Sequence, residues 1–326
     1  MTQARIYIMS DSYDLLCMGR STLDLFGNTL GADFTAQRIF RAYLGGSPMN
    51  ICVGAHRLGL KTAMLTGVSD DEVGRYIRQA IREEGITDDY VLTKPGTLTN
   101  IVIGALQPPG GGQFAVYHAA NADLQLNFED ILNAPIPQSK VFLFTGMCLL
   151  AEPSRSATYF AAERAQAHER NVVMDLDYRP AMWDSVRTYG VYTRAVLPHV
   201  DIVIGTEDEV LAATGTDDLT AAVITLLSVV KRAVLVKRGV EGCEVYTVQG
   251  AAHAIPPFPA EEVNIMGAGD GFAAGFLYGY LRGWTLVKSA RFANACGAIQ
   301  VSTHGTGSEM PALSVVLDFI DEHGGF

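Results

Sequence analysis

The chain has 326 residues, of which 48% are apolar, and a formal charge of −11 at pH 7. This length and apolar content suffice for a large buried core, so a small scaffold that depends on disulfides or metals is excluded. Nucleic-acid binding depends on Lys and Arg that neutralise phosphates, so the acidic balance argues against a nucleic-acid partner.

Cysteine spacing and hydropathy indicate the compartment. The five cysteines lie far apart and form no CxxC pair or Cys/His ligand pattern, which fits a reducing cytosol better than a disulfide framework. The first twelve residues, MTQARIYIMSDS, contain only a four-residue apolar stretch, and no later segment reaches membrane-spanning length. The sequence therefore predicts a soluble cytoplasmic protein without a membrane partner.

Short, almost continuously apolar runs recur along the chain, as in strands buried on both faces of a parallel sheet. They are DLLCMG at 14, TAMLTGV at 62, VFLFTG at 141, NVVMDLD at 171, DIVIG at 201 and AVLVKRG at 233. Amphipathic segments separate them; in 70–85, Val73, Ile77 and Ile81 form one apolar stripe and Gly85 is placed to end a helix. This alternation predicts an α/β doubly wound sheet flanked by helices, with ligands beyond the carboxyl ends of the strands.

Two stretches break the alternation. The segment 23–46 and the pair TNIVIGAL and QFAVYH (99–118), joined by the turn-rich QPPGGG, predict short antiparallel strands with no helix between them. A small sheet inserted into an α/β body is a natural lid, here formed by about 25–43 and 97–118 within a single domain spanning 1–326. Surface hairpins without a role are the alternative.

The stretch NIMGAGDG (264–271) is the first candidate for chemistry. Its glycines allow close backbone approach, and the following GFAAGFLYGYL predicts a helix that begins at about Gly269. Free amides at a helix start favour a phosphate, so Ala268 and Gly269 would hold the phosphoryl group. Asp270 would turn to a second substrate as a general base. An ordinary acidic residue in the first turn of a helix is the alternative.

Two more stretches supply candidates for substrate contact. LGGSPMN (44–50) places paired glycines before a helix start, which allows backbone contact with a polyol. MGRSTLD (18–24) follows a buried strand at the edge where α/β proteins bind ligands. The candidate residues are Gly45, Gly46 and Asn50 in the first stretch, and Arg20 and Asp24 in the second. A tight turn and a solvated ion pair are the alternatives.

LGGSPMN together with NIMGAGDGFAAGF resembles the two sequence signatures of the ribokinase-like (PfkB) carbohydrate kinases. The resemblance extends from about residue 13 to about residue 312, with the signatures in the expected order. It implies a ribokinase-like fold with a small β-sheet lid, phosphoryl transfer from ATP with Mg²⁺, and a homodimer. No GxxxxGK[ST] loop occurs, so phosphate binding falls to the GAGD amides.

The resemblance also implies roles for individual residues. Asp270 matches the catalytic base of the family, and Gly267, Ala268 and Gly269 match its anion hole. Glu209 matches an acid that helps to arrange magnesium, while Thr206 stands where Asn is usual. The other nucleotide-binding positions are Lys237 near the phosphates, Gly239 and Gly242 in the nucleotide-binding turn, and Asn294 beside the adenine. Solvated helix residues and a simple hairpin turn are the alternatives.

Finer resemblance concerns the substrate. DLDYRPAMW (175–183) is similar to a stretch of family members that act on keto-deoxy sugar acids, in which Arg179 would grip a carboxylate or phosphate. As a set, the motifs most resemble the members that phosphorylate 5-dehydro-2-deoxy-D-gluconate at its terminal hydroxyl in inositol catabolism. The alternatives are a kinase of 2-keto-3-deoxygluconate, a fructokinase or ribokinase type, and a non-catalytic sugar or nucleotide sensor. A dinucleotide-dependent oxidoreductase is disfavoured because no GxGxxG follows the first strand.

The sequence departs from the family pattern at two places. Asn264 and Ile265 stand where ribokinases carry Asp-Thr, which weakens the expectation of a K⁺ site. His118 stands where related sugar-acid kinases usually show Arg. It is a candidate substrate contact, with a solvent-facing lid residue as the alternative.

Overall fold

The computed structural model describes residues 12–109 and 111–326. No signal peptide was predicted in residues 1–12; residues 1–11 of that segment lie outside the described residues. Over the described part the strands are β1 (Tyr13–Met18), β2 (Thr22–Gly27), β3 (Phe40–Gly45), β4 (Thr62–Val68), β5 (Val91–Thr93), β6 (Asn100–Gln107), β7 (Gly111–Tyr117), β8 (Ser139–Thr145), β9 (Asn171–Asp175), β10 (Ile202–Thr206), β11 (Ala233–Lys237), β12 (Cys243–Thr247) and β13 (Ala252–Ile255). The helices there are α1 (Ser47–Arg57), α2 (Glu72–Glu83), α3 (Phe128–Asn133), α4 (Ser154–Ala167), α5 (Val186–Val196), α6 (Glu207–Thr214), α7 (Leu219–Leu227), α8 (Ala268–Leu281), α9 (Leu286–Val301) and α10 (Leu313–Glu322).

A large central sheet has the strand order β13-β12-β11-β10-β9-β8-β1-β4-β5. Every pairing from β11 to β5 is parallel, and β12 and β13 add an antiparallel edge. The six strands predicted from apolar runs are β1, β4, β8, β9, β10 and β11. The predicted doubly wound, mostly parallel sheet is therefore confirmed.

Helices cover both faces of this sheet. In β1, Leu15 and Cys17 belong to the apolar cluster that includes α1, α8 and α9, whereas Leu16 and Met18 belong to the cluster that includes α4 and α5. Successive side chains of a strand point to opposite faces, so both faces of β1 are buried. This double burial explains why the strand sequences are continuously apolar.

The helix predicted within 70–85 is α2. The Asp71 side chain accepts hydrogen bonds from the amides of Val73 and Gly74 and so caps its first turn. Ile77 and Ile81 of the predicted stripe are buried. Gly85 follows the helix with φ 80°, a left-handed conformation that favours glycine. The predicted end of the helix at Gly85 is confirmed.

A second, small sheet has the order β3-β2-β6-β7. β2 with β3 and β6 with β7 form the predicted antiparallel pairs, but β2 and β6 are parallel, with Thr22 opposite Asn100. The expectation of antiparallel strands throughout was therefore wrong at the centre of this sheet. β2 follows β1 and β6 follows β5; because β1 and β5 run in the same direction, both chains leave the large sheet at the same edge.

Helices α6 and α7 follow the central strand β10. A capping box starts α6, in which the Thr206 hydroxyl accepts from the Glu209 amide and the Glu209 carboxylate accepts from the Thr206 amide.

No single described helix is long and apolar enough to cross a membrane. α6 and α7 together meet those criteria of length and composition as a pair bent by 66°.

Candidate active site

A cavity of about 500 Å³ lies between the carboxyl edge of the large sheet and one face of the small sheet. The predicted site residues that line it are Arg20, Asp24, Gly46, Asn50, Arg179, Thr206, Glu209, Lys237, Gly267, Gly269 and Asp270. These residues come from segments up to 250 positions apart in the chain, for example Arg20 and Asp270. The fold thus brings most of the predicted residues to one place.

Asp270 lies in the first turn of α8, which begins one residue before the expected Gly269. Its Oδ1 accepts a hydrogen bond of 2.6 Å from the Ser47 hydroxyl, and its Oδ2 accepts one of 2.8 Å from the Asn50 side-chain amide. Burial raises the pKa of the Asp270 carboxyl, and these two hydrogen bonds oppose that rise. The start of α1 therefore aims this carboxylate into the cavity, a geometry beyond that of an ordinary first-turn acid.

The start of α8 has the features of an anion site. Gly267 precedes the helix with φ 86°, a conformation suited to glycine. The first amides of a helix have no acceptor within it, so those of Gly269 and Asp270 are available to a ligand. The Ala268 amide differs, since it makes a long hydrogen bond of 3.4 Å to the Ile265 carbonyl. Ala268 itself does not line the cavity.

Asp24 is a buried carboxylate in the cavity wall. It accepts hydrogen bonds from the hydroxyls of Thr22 (2.6 Å) and Thr306 (3.1 Å). Burial raises its pKa to about 6, against these two donors. A Cβ atom at Gly45 would overlap the Asp24 carboxylate, so this glycine makes room for Asp24 and does not line the cavity. Gly46, with φ 98°, does line it.

Two arginines in the cavity wall share one carboxylate, that of Asp177. Arg179 Nε donates to Asp177 Oδ1 at 2.7 Å, and Arg20 lies 3.8 Å from Asp177 Oδ2. Asp177 is the main cause of the raised pKa of Arg179. The Arg20 side chain is only 11% exposed, yet its Nε has no hydrogen-bond partner among the described residues. A buried guanidinium with spare donors indicates a site for an anionic group.

Lys237 ends β11 and forms an ion pair with Asp175 at the end of β9, with 3.1 Å between Nζ and Oδ2. Burial raises the pKa of Asp175 to about 7, although Lys237 opposes the rise. Burial also disfavours the charge of Lys237, but the carboxylates of Asp175, Glu209 and Asp270 outweigh it and raise the pKa. The ammonium is therefore held charged beside the anion site.

Sequence reasoning did not select Asp175, Asp177 or Ser47 as site residues, although all three line the cavity. The sequence does carry a signal for the two acids. In NVVMDLD (171–177), the apolar strand ends with carboxylates at two alternate positions, Asp175 and Asp177. Ser47 gives no such signal, because a serine at a helix start is explained by capping.

Glu209 was expected to help arrange Mg²⁺. One of its carboxylate oxygens accepts from the Thr206 amide (2.7 Å) and the other from the Tyr178 amide (3.2 Å). In the described part of the chain no three His, Cys, Asp or Glu side chains converge on a metal position. Mg²⁺ is commonly held by one or two carboxylates, water and substrate phosphates, and the residues present fit that shared type of site.

The turn beside the anion site does not fit a bound K⁺, which requires several free oxygen ligands. The His304 carbonyl accepts from the Asn264 side-chain amide (2.9 Å), and the Gly305 carbonyl accepts from the Gln300 side-chain amide (2.9 Å). Asn264 also carries no charge where a carboxylate would assist a cation. Side-chain amides thus already bind these two carbonyl oxygens and compete with a cation for them.

The remaining predicted residues lie outside the cavity wall. His118 is exposed after the end of β7. Asn294 is buried and donates to the carbonyls of Ile255 and Pro256, so it anchors the segment after β13. Gly239 (φ 55°) and Gly242 (φ 90°) shape the turn between β11 and β12. Their predicted roles with the nucleotide and the sugar remain predictions.

Comparison with known proteins gives a consistent result. The family model described as pfkB family carbohydrate kinase matches residues 13–313. The chain is 33% identical over 315 residues to a 5-dehydro-2-deoxygluconokinase of Geobacillus kaustophilus, covering 95% of this chain and 94% of the relative. The corresponding kinase of Geobacillus thermodenitrificans is 34% identical over 313 residues, covering 94% and 93%.

Solved structures share the fold. A fructokinase from Xylella fastidiosa with bound ATP has a TM-score of 0.82 at 24% identity, covering 94% of this chain and 98% of that one. A putative ribokinase II from E. coli, in complex with ATP and Mg²⁺, has a TM-score of 0.86 at 22% identity, covering 95% and 100%. Because the family model matches nearly the whole of this chain and curated relatives exceed 30% identity, this chain belongs to the pfkB family of carbohydrate kinases and is a phosphotransferase that acts on a sugar hydroxyl.

Proposed function

We propose that the protein transfers the γ-phosphoryl group of ATP to the terminal hydroxyl of 5-dehydro-2-deoxy-D-gluconate, giving the 6-phosphate, a step of inositol catabolism. The observation that carries the proposal is the Arg20 guanidinium, which lines the cavity, is only 11% exposed and has no hydrogen-bond partner for Nε among the described residues. A carboxylate on the sugar would accept two hydrogen bonds from it. The names of the curated relatives support the same substrate.

The chemistry follows from the positions around Asp270. Its carboxylate accepts the proton of the sugar hydroxyl as that oxygen bonds to the γ-phosphorus. The bond between the γ-phosphorus and the bridging oxygen of ADP breaks, ADP leaves, and Asp270 later releases its proton to water. The first amides of α8 and the Lys237 ammonium face the negative charge on the phosphoryl oxygens. Mg²⁺, when bound with ATP near Glu209, adds charge neutralisation there.

The roles of the nucleotide and of the remaining predicted positions belong to the same proposal. ATP lies toward Thr206, Lys237 and the turn that carries Gly239 and Gly242, and the sugar lies toward Asp24 and Arg20. His118 and Asn294 stand outside the cavity wall, so a ligand that contacts either of them extends beyond this cavity.

A substrate panel tests the proposed function. The purified protein is given ATP and Mg²⁺ with 5-dehydro-2-deoxygluconate, 2-keto-3-deoxygluconate, fructose or ribose, and ADP formation and the phosphorylated sugar are measured. We expect the highest kcat/KM with the first sugar acid. A neutral sugar that outperforms both acids would contradict the proposal. Thermal stabilisation by these ligands without any phosphorylated product would identify a sensor instead.

The small sheet is proposed to act as a lid on a single-domain kinase. Its strands contribute Val102, Phe114 and Val116 to the wall of the cavity that Asp270 also lines. Apolar side chains at this place would exclude water that would otherwise accept the phosphoryl group. This arrangement supports a cover that closes over the bound sugar.

We propose that two copies of this chain form a dimer through the face of the small sheet that points away from the cavity. Asp24, Val102 and Val116 line the cavity, so the alternate residues Leu25, Ile103 and Tyr117 face away from it, and Tyr117 is 62% exposed. Sedimentation equilibrium is expected to give a dimer, and Ile103→Lys is expected to shift it toward monomers. A wild-type protein that remains monomeric at every concentration would disprove this.

Catalysis is expected to be independent of K⁺. Because the amides of Asn264 and Gln300 occupy the carbonyls of the 304–305 turn, replacing K⁺ with tetramethylammonium at equal ionic strength should change kcat less than about twofold. The melting temperature should respond equally to K⁺ and Na⁺. The matched variant Asn264→Asp supplies the missing carboxylate and should acquire K⁺-specific stabilisation. Specific activation of the wild-type enzyme by K⁺ would refute the expectation.

A further inference from the structure

The ion pair between Lys237 and Asp175 crosses the centre of the large sheet. β10 lies between β11 and β9, and in its register Thr206 is opposite Lys237 while Ile204 is opposite Asp175. The lysine side chain therefore spans β10 to reach the carboxylate. The Asp175 side chain is buried, with 3% exposed, and the Lys237 side chain is largely covered, with 13% exposed. A buried lysine that is extended across a strand is fixed more strongly than a lysine at the surface.

The ammonium group lies at the anion site. Lys237 Nζ is 3.2 Å from the position that a Cβ atom of Gly269 would occupy. Among the described residues, Asp175 accepts the hydrogen bond that this ammonium donates. An ammonium has three donors, so two remain for phosphate oxygens at the start of α8.

Asp175 is itself fixed in place. Its Oδ1 accepts a hydrogen bond of 3.2 Å from the Asp177 amide, while Oδ2 accepts from Lys237. The backbone that presents this amide is unusual, because Asp177 has φ 35°. The carboxylate thus connects the loop after β9 to the ammonium, and 2% of Asp175 is exposed.

We propose that Asp175 is a positioning residue that holds the Lys237 ammonium beside Gly269, where the ammonium meets the γ-phosphoryl group during transfer. The inference rests on the proposed function. Lysine is a point charge on a flexible four-carbon chain, so it needs an acceptor to fix its direction. Asp175 supplies that acceptor, and it also supplies the counter-charge that a buried ammonium requires before the nucleotide arrives.

A double-mutant cycle tests the proposal. We expect Lys237→Met to lower kcat about 10²- to 10³-fold, as for removal of one donor to a charged transition state. Asp175→Asn should lower kcat about 10- to 100-fold, with the sugar KM little changed. The double variant should match Lys237→Met within about threefold, because Asp175 acts only through the lysine. Effects that multiply in the double variant would overturn the proposal.

Two further measurements keep the result interpretable. Asp175→Asn leaves the Lys237 ammonium without its counter-charge, so the stability of this variant is measured by thermal unfolding. The comparison of Lys237→Met with the double variant does not have this problem, because both lack the ammonium. Asp201→Asn is the matched control: Asp201 is also buried in this sheet, 3.8 Å from Arg232, but at the amino edge outside the cavity. Its kcat should stay at the wild-type level.

Binding of the ATP analogue AMP-PNP with Mg²⁺ separates this inference from the identity of the sugar. The affinities for the analogue and for ADP are measured in the wild-type protein, the two single variants and the double variant. These binding measurements need no sugar. Each single change should weaken the analogue about three- to tenfold and ADP less than about twofold, since only the analogue carries a γ-phosphoryl group. Unchanged analogue affinity in Asp175→Asn would refute the positioning role, whatever sugar the enzyme uses.

Discussion

Replacing Asp270 with asparagine is expected to lower kcat about 10²- to 10⁴-fold, the usual contribution of a general base. Asparagine preserves the shape of the side chain and can still accept a hydrogen bond from Ser47 or Asn50. It cannot accept the proton of the sugar hydroxyl. Because the amides at the start of α8 are unaffected, ADP affinity should stay within about threefold of the wild-type value. Steady-state kinetics and calorimetric titration of ADP measure the two quantities.

The matched control for this variant is Asp208→Asn. Asp208 also lies in the first turn of a helix, α6, but it is exposed and outside the cavity wall. Any effect of removing a negative charge from a helix start would appear in both variants. If Asp270→Asn kept more than about a tenth of wild-type turnover, the assignment of Asp270 as the base would be wrong.

The sequence predicted the frame of the fold because the buried strands carry their own signal. β1, β4, β8 and β11 are apolar on both faces, as expected of strands in a parallel sheet that is covered on both sides. β12 alternates buried and partly buried residues, and the edge strand β13 is mostly exposed, so neither gives a continuous apolar run and they were not anticipated. The parallel pairing of β2 with β6 also escaped prediction, because it depends on where β1 and β5 end in the large sheet.

The site was predictable where one local segment holds several of its features. GAGD combines helix start, glycine conformation and carboxylate within four residues, so Asp270 was found from sequence. Asp175 was not, because its partner Lys237 is 62 positions away and two strands over. Gly45 was predicted to contact a substrate, but it does not line the cavity, and its missing side chain accommodates Asp24. Such reasons are tertiary and leave no local pattern.

Arg20→Met is expected to abolish selectivity for a sugar acid while sparing phosphoryl transfer. Methionine keeps much of the apolar volume of arginine but removes every donor. Loss of hydrogen bonds to a charged group costs about 1.5–3 kcal/mol, so kcat/KM for the sugar acid should fall about 10- to 150-fold, mainly through KM. The value for a neutral sugar should stay within about threefold, since that sugar offers no carboxylate.

Arg179→Met provides the comparison. Arg179 is 54% exposed and already donates to Asp177 at 2.7 Å, whereas Arg20 is 11% exposed with a donor unused. Water and Asp177 satisfy much of the Arg179 guanidinium, so its loss should cost the sugar acid less than about tenfold. Equal losses for sugar acid and neutral sugar in Arg20→Met would mean that Arg20 supports the cavity and does not recognise the substrate charge. A selective loss would place the carboxylate of the substrate between Arg20 and the loop after β9.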